Sequence, residues 1–169
     1  MARVVGIGIQ DFSKIQRENV FYVDKTRFIK EWWESKDEVT LIARPRRFGK
    51  TLTMSMVEQF FSVEYADSPC FRGMDIWKEE KYREIQGTYP VISLTFSSIK
   101  ERNFDEARKK ICATIQMLYQ KYQFLLEGDI LNGQEKAEFL KVSAEMPEYE
   151  ATLTLKNFLV TWSAFIRKK

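Results

Sequence analysis

The feature that most constrains this chain is a change of hydrophobic period across residues 39–61. Val39-Thr40-Leu41-Ile42-Ala43 is a short, mostly apolar, β-branched run that predicts a buried strand, and Pro45 helps to end it. From Thr51 the apolar residues recur at helical spacing instead, which puts Leu52, Met56, Val57, Phe60 and Phe61 on one helix face. A second run, Val91-Ile92-Ser93-Leu94-Thr95-Phe96, follows Pro90 and predicts another strand. Strand–helix–strand–helix order with buried strands predicts an α/β fold, a parallel sheet flanked by helices. Two runs make a very small sheet.

Elsewhere the pattern is helical. Phe28, Ile29, Trp32 and Trp33 follow Thr26, a candidate N-cap, and predict a helix over 27–34. Segment 64–90 is mixed and turn-rich. Asn103 with Glu106 three residues on is a capping pair. It opens a long helix with Phe104, Ala107, Ile111, Ile115, Leu118, Tyr119 and Tyr122 on its apolar face. Gly128 to Gly133 reads as a loop, a weaker helix covers 134–144, and Pro147 interrupts. The last helix carries Leu155, Phe158, Leu159, Trp162, Phe165 and Ile166. No repeat, low-complexity tract or Gly/Ser linker divides the chain, so one domain is expected: a lead-in over 1–38 and a core over 39–169.

Composition removes several classes of chemistry. The 169 residues are 44% apolar and include 13 Phe, 7 Tyr and 4 Trp, enough to build a core, so disorder is not expected. There is no histidine, so no Ser-His-Asp or Cys-His nucleophile and no histidine metal site can exist. Two cysteines, Cys70 and Cys112, cannot make a Cys₄ zinc site and suit a reducing cytoplasm. The net charge of +3 falls short of the field of a dedicated nucleic-acid binder. No apolar stretch approaches the roughly 18 residues of a membrane span, and no secretory signal opens the chain. A soluble, cytoplasmic protein is expected.

Between the first predicted strand and the helix lies Arg44-Pro45-Arg46-Arg47-Phe48-Gly49-Lys50-Thr51. A phosphate loop reads G-x-x-x-x-G-K-[ST], and this segment supplies Gly49, Lys50 and Thr51 with Arg44 at the first glycine position. Gly49 lets the backbone approach a phosphate without a Cβ in the way. Lys50 brings a point charge to β- and γ-phosphate oxygens, the Thr51 hydroxyl can ligate Mg²⁺, and the helix adds its N-terminal dipole. Leu52 and Phe48 complete the cofactor-binding segment. Arg46 and Arg47 could face the phosphates or an acidic partner, whereas exposed loop arginines most often do neither.

With Gly8-Ile9-Gln10-Asp11-Phe12, Phe21-Tyr22-Val23-Asp24-Lys25-Thr26 and the loop Arg44 to Thr51, the chain resembles the bacterial AAA-ATPase-like proteins, a group of predicted P-loop ATPases. The resemblance covers essentially the whole length, and Arg in place of the first glycine is that family's own variant. It implies a P-loop NTPase-like fold that binds ATP with Mg²⁺. Residue types alone give Tyr22–Thr26 no chemistry; it reads either as a turn into the helix or as a segment folded over a base, with Tyr22 stacking.

Hydrolysis in such folds also takes an acid at the end of a second core strand. The 91–96 run ends in Phe96-Ser97-Ser98 without one, Asp75 follows no strand, and Asp129 sits in the predicted loop. In the family an acid-bearing strand follows a helix similar to Leu153–Ile166, whereas this sequence ends at Arg167-Lys168-Lys169. The expectation is therefore a fold truncated before the Walker B strand, binding nucleotide without hydrolysing it alone and with no catalytic residue assigned. The alternative is a non-enzymatic interaction or nucleic-acid-binding remnant that uses the basic loop, with Arg108-Lys109-Lys110 more simply a solvated helix face. An ATPase that borrows its acid from another chain is a third reading. Uncovered apolar faces would lead to a homo-oligomer or an element-swapped dimer.

Overall fold

Apolar residues spaced three and four apart form helices, and those helices bury the core. The computed structural model describes residues 4–127 and 131–167, divided between two compact units that meet in sequence at Ser93 and Leu94.

The first unit holds α1 (Ser13–Arg17), α2 (Arg27–Ser35), α3 (Lys50–Phe61) and α4 (Glu80–Ile85), with short 3₁₀ turns between α3 and α4. Ile29 of α2 and Phe60 of α3 are fully buried, and Met56 nearly so. Phe60 meets Phe71 edge-on at 5.0 Å, and Phe71 stacks on Phe12 at 5.1 Å. Burying one such side chain stabilises by about 1.5–3 kcal/mol, so this aromatic row is the main adhesive of the unit. The last carbonyls of α3 are satisfied from a distant segment. The Gly87 amide donates to Phe60 O and the Tyr89 amide to Phe61 O, both at 2.8 Å. Gly87 has φ 68° and lies so close to Ala66 that a Cβ would run into the Ala66 backbone, which only glycine avoids.

The expected parallel sheet is not there. The described residues contain no strand, only isolated bridges pairing Val4 with Val20 and Ser62 with Tyr89. The 39–43 run forms no regular element and no ladder, and Val39 and Leu41 are each 87% exposed. Two candidate strands give each other too few ladder bonds and too little covered surface to outweigh the entropy of ordering them. The helical faces found each other instead, so the α/β, P-loop-like sheet is corrected to a helical architecture.

The second unit holds α5 (Phe104–Lys121), α6 (Gly133–Leu140) and α7 (Glu148–Arg167). Asn103 caps α5 as its pairing with Glu106 predicts, its side chain accepting from the Glu106 amide at 2.8 Å. Asn132 and Glu135 form a reciprocal capping box on α6. Tyr119 of α5 and Tyr122, just past its end, pack on Phe158 of α7 at 4.8 and 5.5 Å. Positions 128–130 of the predicted loop, Asp129 among them, lie outside the described residues, as do Lys168 and Lys169. Asn103→Ala is expected to cost about 1 kcal/mol, read as a lower denaturant midpoint at unchanged slope. No helix among the described residues is long and apolar enough to cross a membrane.

Candidate phosphate-binding site

The loop before α3 is shaped by two left-handed residues. Arg47 has φ 69° and Gly49 has φ 74°. A non-glycine residue held there costs about 1 kcal/mol, and such strain gathers where a backbone must be presented in one particular way. Gly49 is the N-cap of α3, and its carbonyl accepts the first helical bond from the Thr53 amide at 2.8 Å. The amides of Lys50, Thr51 and Leu52 therefore have no intrahelical acceptor, and they stand at the positive end of a 12-residue helix. The Lys50 ammonium donates to the Arg44 carbonyl at 2.5 Å and closes the loop on itself.

A cavity of about 810 Å³ opens beside this helix end. Arg47, Gly49, Lys50, Thr51 and Leu52 line it together with residues 6–10, Ile15, Val20 and Phe21. No carboxylate is among the lining side chains, and two cations are. The volume lies within the range that encloses small ligands. Arg46 and Phe48 belong to the loop but not to the cavity lining, and Phe48 is 59% exposed. Tyr22 does not line it either. Its ring packs edge-on against Phe12 at 5.5 Å, and its hydroxyl accepts from the Lys25 amide and rests against Met56 Sδ. Burial pushes the Tyr22 phenol up to about 12, so it stays a neutral hydroxyl.

The segment around Tyr22 has a different task, visible only in three dimensions. Asp24 Oδ1 accepts from the amide and hydroxyl of Thr26 at 2.8 and 2.7 Å, and Oδ2 accepts from the Asp75 amide at 2.7 Å. Thr26 Oγ1, fully buried, accepts in turn from the Ile76 amide at 3.2 Å. Asp24 and Thr26 thus clasp the 3₁₀ turn Asp75–Lys78 onto the start of α2. Thr26 stands at the N-cap position of α2, as its place in the sequence predicts, but its hydroxyl is used on this partner and makes no cap bond.

The clasp carries a pH signature. Burial raises the Asp24 pKa, but the bonds from Thr26 and Asp75, with Lys78 nearby, outweigh it and hold the carboxyl below its ordinary 3.8. A depressed folded-state value means that below 3.8 the unfolded chain binds the proton first. The stabilisation is complete above that value and is lost as the pH falls through the lower, folded one. Acid titration of tryptophan fluorescence is expected to show a shallower unfolding limb for Asp24→Asn than for the wild type.

Sequence reasoning missed residues 6–10 as cavity lining. Two of the seven glycines in the chain lie here: a Cβ on Gly6 would run into Ile9 and Val20, and Gly8 takes φ 77°. The loop that shares the cavity with them is about 40 residues away in sequence, which no local pattern records.

Comparison with known proteins adds three findings. A family model described as a predicted AAA-ATPase matches residues 6–157. The chain is similar to an uncharacterized protein in the vnfD 5' region of Azotobacter chroococcum mcd 1, with 32% identity over 106 residues. That match covers 62% of this chain and 19% of the relative, so the chain spans about a fifth of that protein's length. No solved structure matches.

Proposed function

This chain belongs to the AAA-ATPase-like family of predicted AAA-ATPases, and on that premise we propose that the loop Arg44–Thr51 binds the phosphates of ATP·Mg²⁺. The observation that supports this best is the convergence of Lys50, Arg47 and the open amides of Lys50–Leu52 on one acid-free cavity. Anionic oxygens would be received by those amides and the helix dipole. Lys50 would exchange the Arg44 carbonyl for a β- or γ-phosphate oxygen, a stronger, charge-assisted partner.

Thr51 offers one hydroxyl to Mg²⁺, and no group of three or more Asp, Glu or Cys suited to a metal exists among the described residues. The cation would therefore arrive with the nucleotide, its remaining shell filled by phosphate oxygens and water. The isoleucines at 7, 9 and 15, with Val20 and Phe21, give the same cavity an apolar side for a nucleoside. None of its lining residues is an acid placed to activate water, so the reading assigns binding to them and no hydrolytic step.

Calorimetric titration with ATP·Mg²⁺ tests the reading. Saturable binding with one site per chain is expected, and folded protein that takes up no nucleotide overturns it. Tight DNA binding that needs no Mg²⁺ and weakens steeply with salt would favour the nucleic-acid alternative. Arg108–Lys110 lends that alternative little support. Arg108 donates to the Met146 carbonyl and Lys110 pairs with Glu101.

A further inference from the structure

The two segments that line the cavity, residues 6–10 and the loop leading into α3, are far apart in the chain, yet one helix holds both. Lys50 and Thr51 sit in the first turn of α3, Ser55 one turn on and Gln59 two turns on. Ser55 Oγ accepts from the Phe12 amide at 3.0 Å. The Gln59 side-chain amide donates to Asp11 Oδ1 at 2.7 Å and to Ser55 Oγ at 3.2 Å. Asp11 Oδ1 also receives the amide and hydroxyl of Ser13, at 3.0 and 2.8 Å. Asp11 and Phe12 directly follow Gln10, the end of the cavity-lining stretch.

We propose that Asp11, Ser55 and Gln59 are positioning residues that fix the 6–10 segment against the phosphate loop and so set the nucleoside side of the cavity. The inference rests on the phosphate-binding reading above and adds to it which residues hold the second half of the site. None of the three lines the cavity, so they act through the backbone they hold.

Gln59 is costly for a residue of merely structural use. It is 3% exposed, and its Oε1 is buried without a hydrogen-bond partner among the described residues. An orphaned buried carbonyl is destabilising, and a leucine of similar size would pack there without that penalty. Glutamine at this position therefore gains its advantage from what its amide holds, the Asp11 carboxylate. That bond is short and charge-assisted, the kind that fixes geometry. Burial pushes the Asp11 pKa up, but the bonds from Gln59 and Ser13 outweigh it and keep the carboxyl below its ordinary 3.8, so the anchor is anionic at neutral pH.

Two probes separate the halves of the site, ATP·Mg²⁺ and inorganic triphosphate with Mg²⁺. Triphosphate engages the loop alone, whereas ATP also uses the surface that residues 6–10 supply. Gln59→Leu is expected to weaken ATP about tenfold while triphosphate affinity changes by less than about twofold. Ser55→Ala, which frees the Phe12 amide, is expected to act in the same direction and keeps the test open if Gln59→Leu folds poorly. ATP affinity unchanged in both folded variants, or ATP and triphosphate weakened by the same factor, overturns the positioning role. Failure of the wild type to bind triphosphate overturns the loop reading itself and, with it, this inference.

Discussion

Lys50→Ala is expected to weaken ATP·Mg²⁺ by about 100-fold, because two charge-assisted bonds to phosphate oxygens at roughly 1.5 kcal/mol each convert to two decades of affinity. The fold should hardly notice. Lys50 is exposed, and its one bond, to the Arg44 carbonyl, leaves that carbonyl open to water when removed. A thermal midpoint within about 2 °C of the wild type is therefore expected beside the lost affinity. Titration of both proteins under identical salt checks it. Unchanged affinity in Lys50→Ala would remove the loop from the site, and a collapsed midpoint would show that Lys50 supports the fold instead.

Thr26→Val is the largest expected effect on stability, at about 2 kcal/mol, or a fall of about 10 °C in the thermal midpoint of a unit this size. Valine keeps the volume but removes the hydroxyl that receives the Ile76 amide and donates to Asp24. The Ile76 amide is then left buried without a partner, which costs more than the bond itself contributed. Thr26→Ser retains both bonds and is expected to cost about 1 kcal/mol, from the lost methyl. Guanidinium melts of the three proteins decide the matter. Equal stability of Thr26→Val and the wild type would mean that the clasp carries no energy, and the role of Asp24 and Thr26 would have to be sought in ligand contact.

The helices were legible because helical amphipathicity is local. The spacing of Phe28, Ile29, Trp32 and Trp33 predicts 27–34, and α2 runs Arg27–Ser35. Asn103 and Glu106 mark the start of α5, and Pro147 stands immediately before α7. The loop was legible too, since Gly49 needs its left-handed φ and Lys50 and Thr51 follow directly into the helix. The α6 helix ends at Leu140, short of the expected 144, and α4 lies inside a stretch that reads as turns.

What failed was the non-local half. A β-branched run such as Val39–Ala43 becomes a strand only if neighbours arrive from elsewhere in the chain, and nothing within the run says whether they do. The same limit hides the purpose of Tyr22–Thr26. Asp24 and Thr26 reach the Asp75 and Ile76 amides some 50 positions on, and a motif read by residue type cannot show the partner that explains it. Residues 6–10 join the cavity through the grip of Ser55 and Gln59 on Asp11 and Phe12, again across more than 40 positions.

Amide hydrogen exchange of the whole chain, with and without saturating ATP·Mg²⁺, tests the central claim most directly because it locates the nucleotide as well as detecting it. Slowed exchange is predicted in peptides spanning 47–53, where the open amides of Lys50–Leu52 would take phosphate oxygens, and in those spanning 6–10. Bound nucleotide with exchange at 47–53 unchanged, or with slowing confined to the second unit, would contradict it.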